Sequence, residues 1–286
     1  MNLPLATSRK KQVLACLGLL SLMLTLVPSS AATTFFAERV VATSPGEGQS
    51  TTLNDPNELL GGPTGVGPNS GAATGVFNLG VGGSITLGFG PEDEPSVIRD
   101  ATGADFIVFE NAFLLGGNPA SSFADLVFVE VSSNGIDFAR FPITAPSTTI
   151  NGLFGTIDPT TASGFAGTNP VLANVDINDI NPFDPLVAGG DAFDLADLAA
   201  LDAVIQGVVD LQNIRFLRLI DVLGDGSLPD SAGNPIFDDA GIFDNGADLD
   251  AVAVIHGVSV PEPTSLMALL SLASLMPLRR RRQHRL

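Results

Sequence analysis

The chain has 286 residues, of which 31 are acidic and 13 are basic, and its net charge is −18. The charges are unevenly distributed, because residues 33–260 hold 30 acidic and five basic residues and therefore carry a net charge of −25. Such a surface repels nucleic acids and anionic lipids, and it attracts divalent cations or basic partners. The same part has no cysteine, tryptophan or tyrosine. This composition argues against nucleic-acid binding, disulfide bonds and thiolate chemistry.

The first 32 residues have the pattern of a signal peptide. Basic residues at positions 9–11 precede an apolar run over residues 13–27, and small residues follow at positions 30–32. A signal peptidase recognises this order of features. We therefore predict a signal helix that is cleaved after Ala32, so that the exported chain begins at Thr33.

The exported chain is predicted to begin with an irregular segment, residues 33–75, in which Gly, Pro and Asn recur without apolar periodicity. Short apolar stretches then predict strands, and several are continuous rather than alternating, which indicates strands inside packed sheets. These strands cover residues 84–89, 105–109, 126–132, 138–143, 214–221 and 249–256. One helix is predicted over residues 194–209, with Asp194 as its N-cap. Its apolar face would consist of Leu195, Leu198, Leu201, Ala203 and Ile205.

Residues 133–138 predict a β-hairpin, because Asn134 and Gly135 form the strongest short hairpin signal. The surrounding stretch, 129–141, resembles the hairpin of galactose-binding-like jelly rolls. Three more stretches are similar to segments of bacterial cell-surface proteins with that architecture: 103–113, 189–195 and 247–252. The resemblance implies a mainly all-β fold for residues 33–259, a jelly-roll-like β-sandwich with one short helix. It implies carbohydrate binding as a candidate function, although sugar sites usually stack on Trp or Tyr.

Calcium is the candidate cofactor, because it needs only oxygen ligands. Acidic and amide side chains crowd a glycine-rich loop after the strand predicted at 214–221, and the candidate ligands are Asp221, Asp225, Asp230, Asn234 and Asp238. The spacing is not that of an EF-hand, because Leu223 and Ala232 occupy the third and twelfth positions counted from Asp221. A calcium site and a solvated acidic loop therefore both stay open.

Catalysis has little support in the sequence, and we predict no catalytic residue. His256 is the one histidine of residues 33–259 and follows an apolar run, which favours a structural role. A single imidazole without thiolates cannot assemble a zinc site.

Glycoside hydrolysis needs two carboxylates, and Glu110 and Glu130 adjoin apolar strands where burial would raise the pKa of each side chain. For Glu130 the alternative is an ion pair with Arg218, since each shares a strand face with apolar residues.

The C-terminal 27 residues contain three features in a fixed order. They are the motif Val260, Pro261, Glu262 and Pro263, an apolar run over residues 266–278, and the basic cluster Arg279, Arg280, Arg281 and Arg282. This order resembles the PEP-CTERM tail of bacterial envelope and biofilm-matrix proteins. The resemblance implies recognition and cleavage by an exosortase-type transpeptidase. An ordinary membrane anchor is the alternative.

Counted from Thr264, the apolar stretch has about 15 residues and would form an anchor helix of about 22 Å, against a bilayer core of about 30 Å. It could span only with local thinning or snorkelling arginines. The arginines would stay in the cytoplasm, which puts the rest of the chain outside. We therefore predict an exported protein of the cell envelope, cell surface or extracellular matrix of a Gram-negative-type bacterium, with a structural or adhesive role. The alternative is a carbohydrate-binding or glycan-hydrolysing module. The expected partners of the exported protein are signal peptidase, the exosortase, the membrane before processing, and exopolysaccharide.

Overall fold

The computed structural model describes residues 33–92, 96–146, 156–238 and 246–259, and these residues form a mainly β structure. The predicted signal peptide with its cleavage site at Ala32 lies outside the described residues. So does the predicted tail, residues 260–286, with its sorting motif. Within the described ranges, every helix is too short or too polar to cross a bilayer.

The strands in chain order are β1 (Thr33–Phe36), β2 (Arg39–Ser44), β3 (Phe77–Asn78), β4 (Ser84–Gly88), β5 (Ser96–Ile98), β6 (Phe106–Glu110), β7 (Phe113–Leu114), β8 (Ser122–Phe123), β9 (Val127–Ser132), β10 (Ala139–Arg140), β11 (Thr156–Ile157), β12 (Phe165–Ala166), β13 (Asp191–Phe193), β14 (Phe216–Asp221), β15 (Asp225–Pro229), β16 (Pro235–Phe237) and β17 (Asp248–Ser259). Helical turns are short. Within the described ranges, the 3₁₀ helices are Pro56–Leu59, Leu115–Gly117, Pro159–Thr161 and Leu195–Leu198, and the α-helix is Asp202–Ile205.

Two antiparallel sheets contain most of these strands. The first sheet has the order β1-β17-β6-β13, and β3 and β5 also pair with β17. The second sheet has the order β10-β9-β14-β4-β2, and β12 also pairs with β9. Two smaller sheets, β11-β8-β7 and the hairpin β15-β16, extend the structure. The long strand β17 therefore pairs with four strands of the first sheet, and β9 and β14 are paired central strands of the second.

One hydrophobic core joins the two large sheets. Phe106 and Val252 of the first sheet belong to the same buried cluster as Val129 and Leu217 of the second. A second cluster lies on the other face of the first sheet, where Ile107, Phe109, Ala251 and Ala253 pack against the segment 171–188. The first sheet is thus covered on both faces, which explains why its strands read as continuous apolar runs.

Five of the six predicted strands are confirmed with shifts of a few residues at their ends: β4, β6, β9, β14 and β17. The stretch 138–143 forms only the two-residue strand β10, and an isolated bridge follows it at Thr144. Pro142 limits this strand, because proline has no N–H group for a sheet ladder.

The prediction that residues 33–75 are irregular is wrong for the first part of this segment. Residues 33–44 contain β1, which pairs with β17, and β2, which pairs with β4. The remainder, residues 45–75, is held by the buried side chain of Leu59 and by bridges from Glu47 and Thr64. The high content of Gly and Pro therefore predicts the irregular residues 45–75 correctly, but it does not predict the two short strands β1 and β2 before them.

The predicted helix over residues 194–209 is replaced by a 3₁₀ helix, Leu195–Leu198, and a separate four-residue α-helix. Asp194 does cap the first, since its carboxylate accepts a hydrogen bond from the Ala196 N–H at 2.9 Å. Leu195 and Leu198 are fully buried, and their three-residue spacing places them on one side of a 3₁₀ helix. Leu201 is extended, with ψ of 140°, and separates the two turns.

The predicted hairpin is confirmed, although its turn is longer than two residues. β9 pairs with β10 with Val131 opposite Ala139, so that residues 133–138 form the loop. Gly135 has a φ of +75°, whereas no described non-glycine residue has a positive φ. The Asn134 Oδ1 instead accepts hydrogen bonds from the Ile136 and Asp137 N–H groups at 2.8 and 2.9 Å. Asn134 therefore closes the loop through its side chain.

Candidate functional site

Of the residues predicted to bind calcium, Asp225, Asp230 and Asn234 lie on a β-hairpin, whereas Asp221 ends β14 and Asp238 follows β16. β15 pairs with β16, with Asp225 opposite Phe237 and Pro229 opposite Pro235. Asp225 stands at one end of this hairpin, and Asp230 and Asn234 stand at its turn. Asp230 follows Asp225 by five positions along strand β15, a distance of roughly 15 Å. The five predicted residues therefore do not converge on one ion, and calcium binding at either end stays a prediction.

Asp230 organises the turn of this hairpin. Its Oδ1 accepts hydrogen bonds from the N–H groups of Ala232 and Asn234 at 2.9 and 2.8 Å. Its Oδ2 accepts from the Ala145 N–H and from the Asn234 side chain. These bonds, chiefly those from Asn234, lower the pKa of Asp230 to about 2. Both oxygens of this carboxylate are thus occupied by protein donors.

Asp221 has a comparable role at the end of β14. Its Oδ1 accepts from the Ala247 N–H at 2.7 Å and its Oδ2 from the Gly82 N–H at 2.8 Å, so it ties two chain segments together. Asp238 is buried, and its carboxylate lies against the backbone of Gly224. Asp225 is exposed, and hydrogen bonds from Ser227 lower its pKa. Asp221 and Asp230 therefore anchor local structure through backbone N–H groups, and calcium binding by these acids stays a prediction.

A group of three carboxylates that the sequence did not indicate lies at the start of β6. Among the described residues it is the one such group whose ligand atoms all lie within 4.8 Å of one another, and it consists of Asp100, Asp105 and Asp194. Asp105 is fully buried, and burial raises its pKa. Its oxygens accept from Ala101 and Leu195 N–H groups at 3.0 and 2.8 Å. Because Asp194 is about 90 positions from the other two, no local pattern points to this group.

His256 pairs with Asp105, a contact that fits the structural role predicted for this histidine. The His256 Nδ1 lies 2.8 Å from the Asp105 Oδ1, and the histidine side chain is about one-quarter exposed. Two backbone N–H groups of the neighbouring segment, from Ile255 and His256, donate to the Asp105 carbonyl. The pair therefore ties the start of β6 to β17.

The predicted pair of Glu130 and Arg218 is confirmed, and Arg140 is added to it. Glu130 is 6% exposed and lies between the two arginines on three adjacent strands. Its Oε1 is 2.9 Å from the Arg140 Nε and its Oε2 is 2.6 Å from the Arg218 Nε. Each guanidinium also lies over a ring, Arg140 on Phe128 at 4.1 Å and Arg218 on Phe138 at 3.8 Å. Both oxygens of the Glu130 carboxylate therefore take part in an ion-pair network with Arg140 and Arg218.

Glu110 is enclosed at the end of β6. It is 1% exposed, and burial followed by repulsion from Asp125 and Asp248 raises its pKa well above the usual range. This direction confirms the shift that its apolar strand suggested. The Oε1 accepts a hydrogen bond from the Asp248 N–H at 3.2 Å, and the Oε2 has no hydrogen-bond partner. Such an enclosed carboxyl cannot touch a polysaccharide substrate, so the sequence-suggested pair of Glu110 and Glu130 does not form a glycosidase site.

A groove of about 470 Å³ opens between β12, β13 and the 3₁₀ helix Pro159–Thr161. Ser163, Asn169 and Asp197 contribute exposed polar groups to it. Buried Asp191 supports its wall, because its Oδ2 accepts from the Thr168 N–H and its Oδ1 from the Asn169 Nδ2, at 2.9 and 2.8 Å. The volume is in the range of small-ligand sites. The groove thus presents hydroxyl, amide and carboxylate groups from three segments, and Asp191 fixes the segment that carries Asn169.

The chain matches no family model, no curated protein and no solved structure.

Proposed function

We propose that this chain is an exported envelope or extracellular-matrix protein of a Gram-negative-type bacterium with a structural or adhesive role. The observation that carries this proposal is the order of the C-terminal features, from the Pro261-Glu262-Pro263 motif through an apolar run to the arginine cluster. The N-terminal segment, with basic and then apolar residues, fits export of the same chain. The high negative charge and the absence of cysteine after Cys16 fit an extracytoplasmic domain stabilised by its core.

We further propose that the domain is a jelly-roll-like β-sandwich. Two antiparallel sheets that share one hydrophobic core support this architecture. Its acidic anchors, such as Asp221 and Asp230, hold turns at the ends of strands, which suits a rigid scaffold.

The sorting proposal predicts the fate of a tail variant. Replacing Pro261, Glu262 and Pro263 by alanine should leave export intact and block C-terminal processing in a host that has an exosortase. The expected result is a mature protein heavier by the retained tail, measured by intact-protein mass spectrometry. Replacing the adjacent Thr264 and Ser265 by alanine provides the control. Equal processing of the two variants would show that the motif is not recognised.

Carbohydrate binding is the second candidate function, and the groove beside β12 and β13 favours it. Its exposed polar groups can bind sugar hydroxyls, while Asp191 fixes the loop that carries Asn169. Phe141 and Phe193 also line the groove but are buried, so sugar stacking on these rings is not part of this proposal.

The groove proposal predicts that Asp197→Asn and Asn169→Ala together weaken retention on exopolysaccharide by about tenfold, equivalent to about 1.4 kcal/mol. The measurement is a pull-down of the protein with polysaccharide from the producing bacterium. Asp179→Asn changes an exposed carboxylate outside the groove and serves as the matched control. Unchanged retention of the groove variant would remove this function from the groove.

A further inference from the structure

The charged side chains that line the groove beside β12 and β13 all have the same sign. They are Asp191 of β13 and Asp197 of the 3₁₀ helix Leu195–Leu198, and the described residues that line the groove include no lysine or arginine. The surrounding domain has the same sign of charge, because residues 33–260 hold 30 acidic and five basic residues. Such a groove attracts cationic ligands and repels anionic ones.

The hydrogen bonds around Asp191 orient the exposed amide of Asn169. The Asn169 Nδ2 donates to the Asp191 Oδ1 at 2.8 Å and to the Thr168 Oγ1 at 2.9 Å. The Thr168 hydroxyl in turn donates its proton to Asp191, so it can only accept from the amide. Because these bonds use the N–H groups of the Asn169 amide, its Oδ1 is the atom that remains to bind a ligand.

The groove therefore presents mainly hydrogen-bond acceptors. The Asn169 Oδ1 and the Asp197 carboxylate only accept, and the Ser163 hydroxyl can accept as well as donate. An ammonium group has three N–H donors and no acceptor, whereas the carboxylate of an acidic sugar has acceptors alone. An amine on the ligand thus matches both the charge and the hydrogen-bonding groups of the groove, and a carboxylate matches neither.

We propose that this groove selects glycans with free amino groups, such as deacetylated amino-sugar polymers, over neutral and acidic glycans. The proposal rests on the carbohydrate-binding function proposed for the same groove and adds the class of sugar. The ammonium of one sugar unit would bind the Asp197 carboxylate and the Asn169 Oδ1, while hydroxyls of the glycan bind Ser163. Buried Asp191 would add to the negative potential of the groove and hold Asn169 in place.

The test compares short oligomers of glucosamine, N-acetylglucosamine and galacturonate, matched in length. Binding to the full chain in mild detergent is measured by isothermal titration calorimetry at about pH 6, below the usual pKa of an amine of this kind. EDTA is present and ionic strength is matched, since salt screens the attraction. The glucosamine oligomer should bind about fivefold more tightly than its acetylated counterpart, which is the effect of one exposed ion pair. The galacturonate oligomer should bind most weakly.

Two variants locate this preference. Asp197→Asn removes a charge from the groove and keeps the shape of the side chain, so the affinity for the glucosamine oligomer should fall about fivefold and that for the acetylated oligomer much less. Asp179→Asn removes an exposed charge outside the groove and should keep the preference of the wild type. Both variants change the net charge of the chain by the same amount, so the comparison separates the groove from the domain as a whole.

The possible failures can be told apart. If none of the three oligomers binds, the groove has no carbohydrate function and the proposal is wrong together with it. If the oligomers bind with equal affinity, or if galacturonate binds best, the groove binds sugars but does not select amines. If Asp197→Asn and Asp179→Asn lower the affinity for the glucosamine oligomer equally, the preference comes from the charge of the whole domain, which also overturns the proposal.

Discussion

Replacing both Arg140 and Arg218 by methionine should lower the free energy of unfolding by about 3–5 kcal/mol, because it leaves the Glu130 charge buried without a partner. Either single replacement should cost about 1–3 kcal/mol, since the second arginine still pairs with the carboxylate. The two arginines are partly exposed, at 42% and 33% of their side chains, whereas the Glu130 side chain is 8% exposed. The larger loss therefore follows from the enclosed carboxylate and not from the arginines themselves.

A triple variant separates this explanation from lost packing. Adding Glu130→Met to the two arginine replacements removes the uncompensated charge and should restore most of the lost stability. The measurement is urea unfolding followed by circular dichroism at neutral pH, combined in a mutant cycle. If the arginine losses are additive and Glu130→Met restores nothing, the three residues do not act as one network.

The Glu130 network shows what the sequence could predict. Alternation along β9 and β14 placed Glu130 and Arg218 on faces with apolar residues, and the structure confirms that they pair. Arg140 was missed, because its strand β10 is two residues long and its partner depends on the register of a hairpin. Strand periodicity predicts a face, whereas an ion pair across strands also needs the register.

The predicted helix shows where local patterns were insufficient. The apolar positions over residues 194–209 fit a helical face, but Leu195 and Leu198 are buried in the shared core by a 3₁₀ turn. Tertiary packing decides between these two helices, since a short isolated α-helix has little stability of its own. In the same way, β1 was missed because pairing with β17, more than 200 residues away, defines it.

The candidate sites were only partly visible in the sequence. Glu110 was identified from its apolar strand, but its neighbours Asp125 and Asp248 come from distant segments. The acidic stretch 221–238 was visible as a cluster, yet backbone N–H groups occupy the carboxylates of Asp221 and Asp230. Local density of acids does not show which carboxylates the backbone already engages, because that depends on how distant segments fold onto them.

Buried acids give the domain an unusual dependence on pH. Burial raises the pKa of Asp105, Glu110, Asp191, Asp248 and Asp250. In each case the folded state holds the proton more tightly than the unfolded chain. The free energy of unfolding should therefore rise as the pH falls from neutral toward 5, in contrast to proteins whose carboxylates are stabilised in ionised form.

The contribution of one buried acid, Asp250, to this pH dependence of the free energy of unfolding can be measured separately. It is 3% exposed, burial raises its pKa to about 6, and its oxygens accept hydrogen bonds from the Thr64 N–H at 3.0 Å. With an unfolded pKa near 4, its stabilising contribution is complete below about pH 4 and is lost as the pH rises through about 6. At pH 5 this contribution should be on the order of 1.4 kcal/mol relative to pH 7.5.

Asp250→Asn keeps an acceptor for the Thr64 N–H but cannot titrate, so its unfolding free energy should change less between pH 5 and pH 7.5 than that of the wild type, by about 1–1.5 kcal/mol. Urea unfolding at both pH values in the presence of EDTA measures this difference and keeps divalent cations out of it. Asp179→Asn, which alters an exposed carboxylate, should retain the wild-type dependence. The other buried acids cancel in the comparison, because they are present in all three proteins. Equal pH dependence in Asp250→Asn and the wild type would mean that Asp250 is ionised in the folded state at pH 5, so that its hydrogen bonds from Thr64 outweigh the cost of its burial.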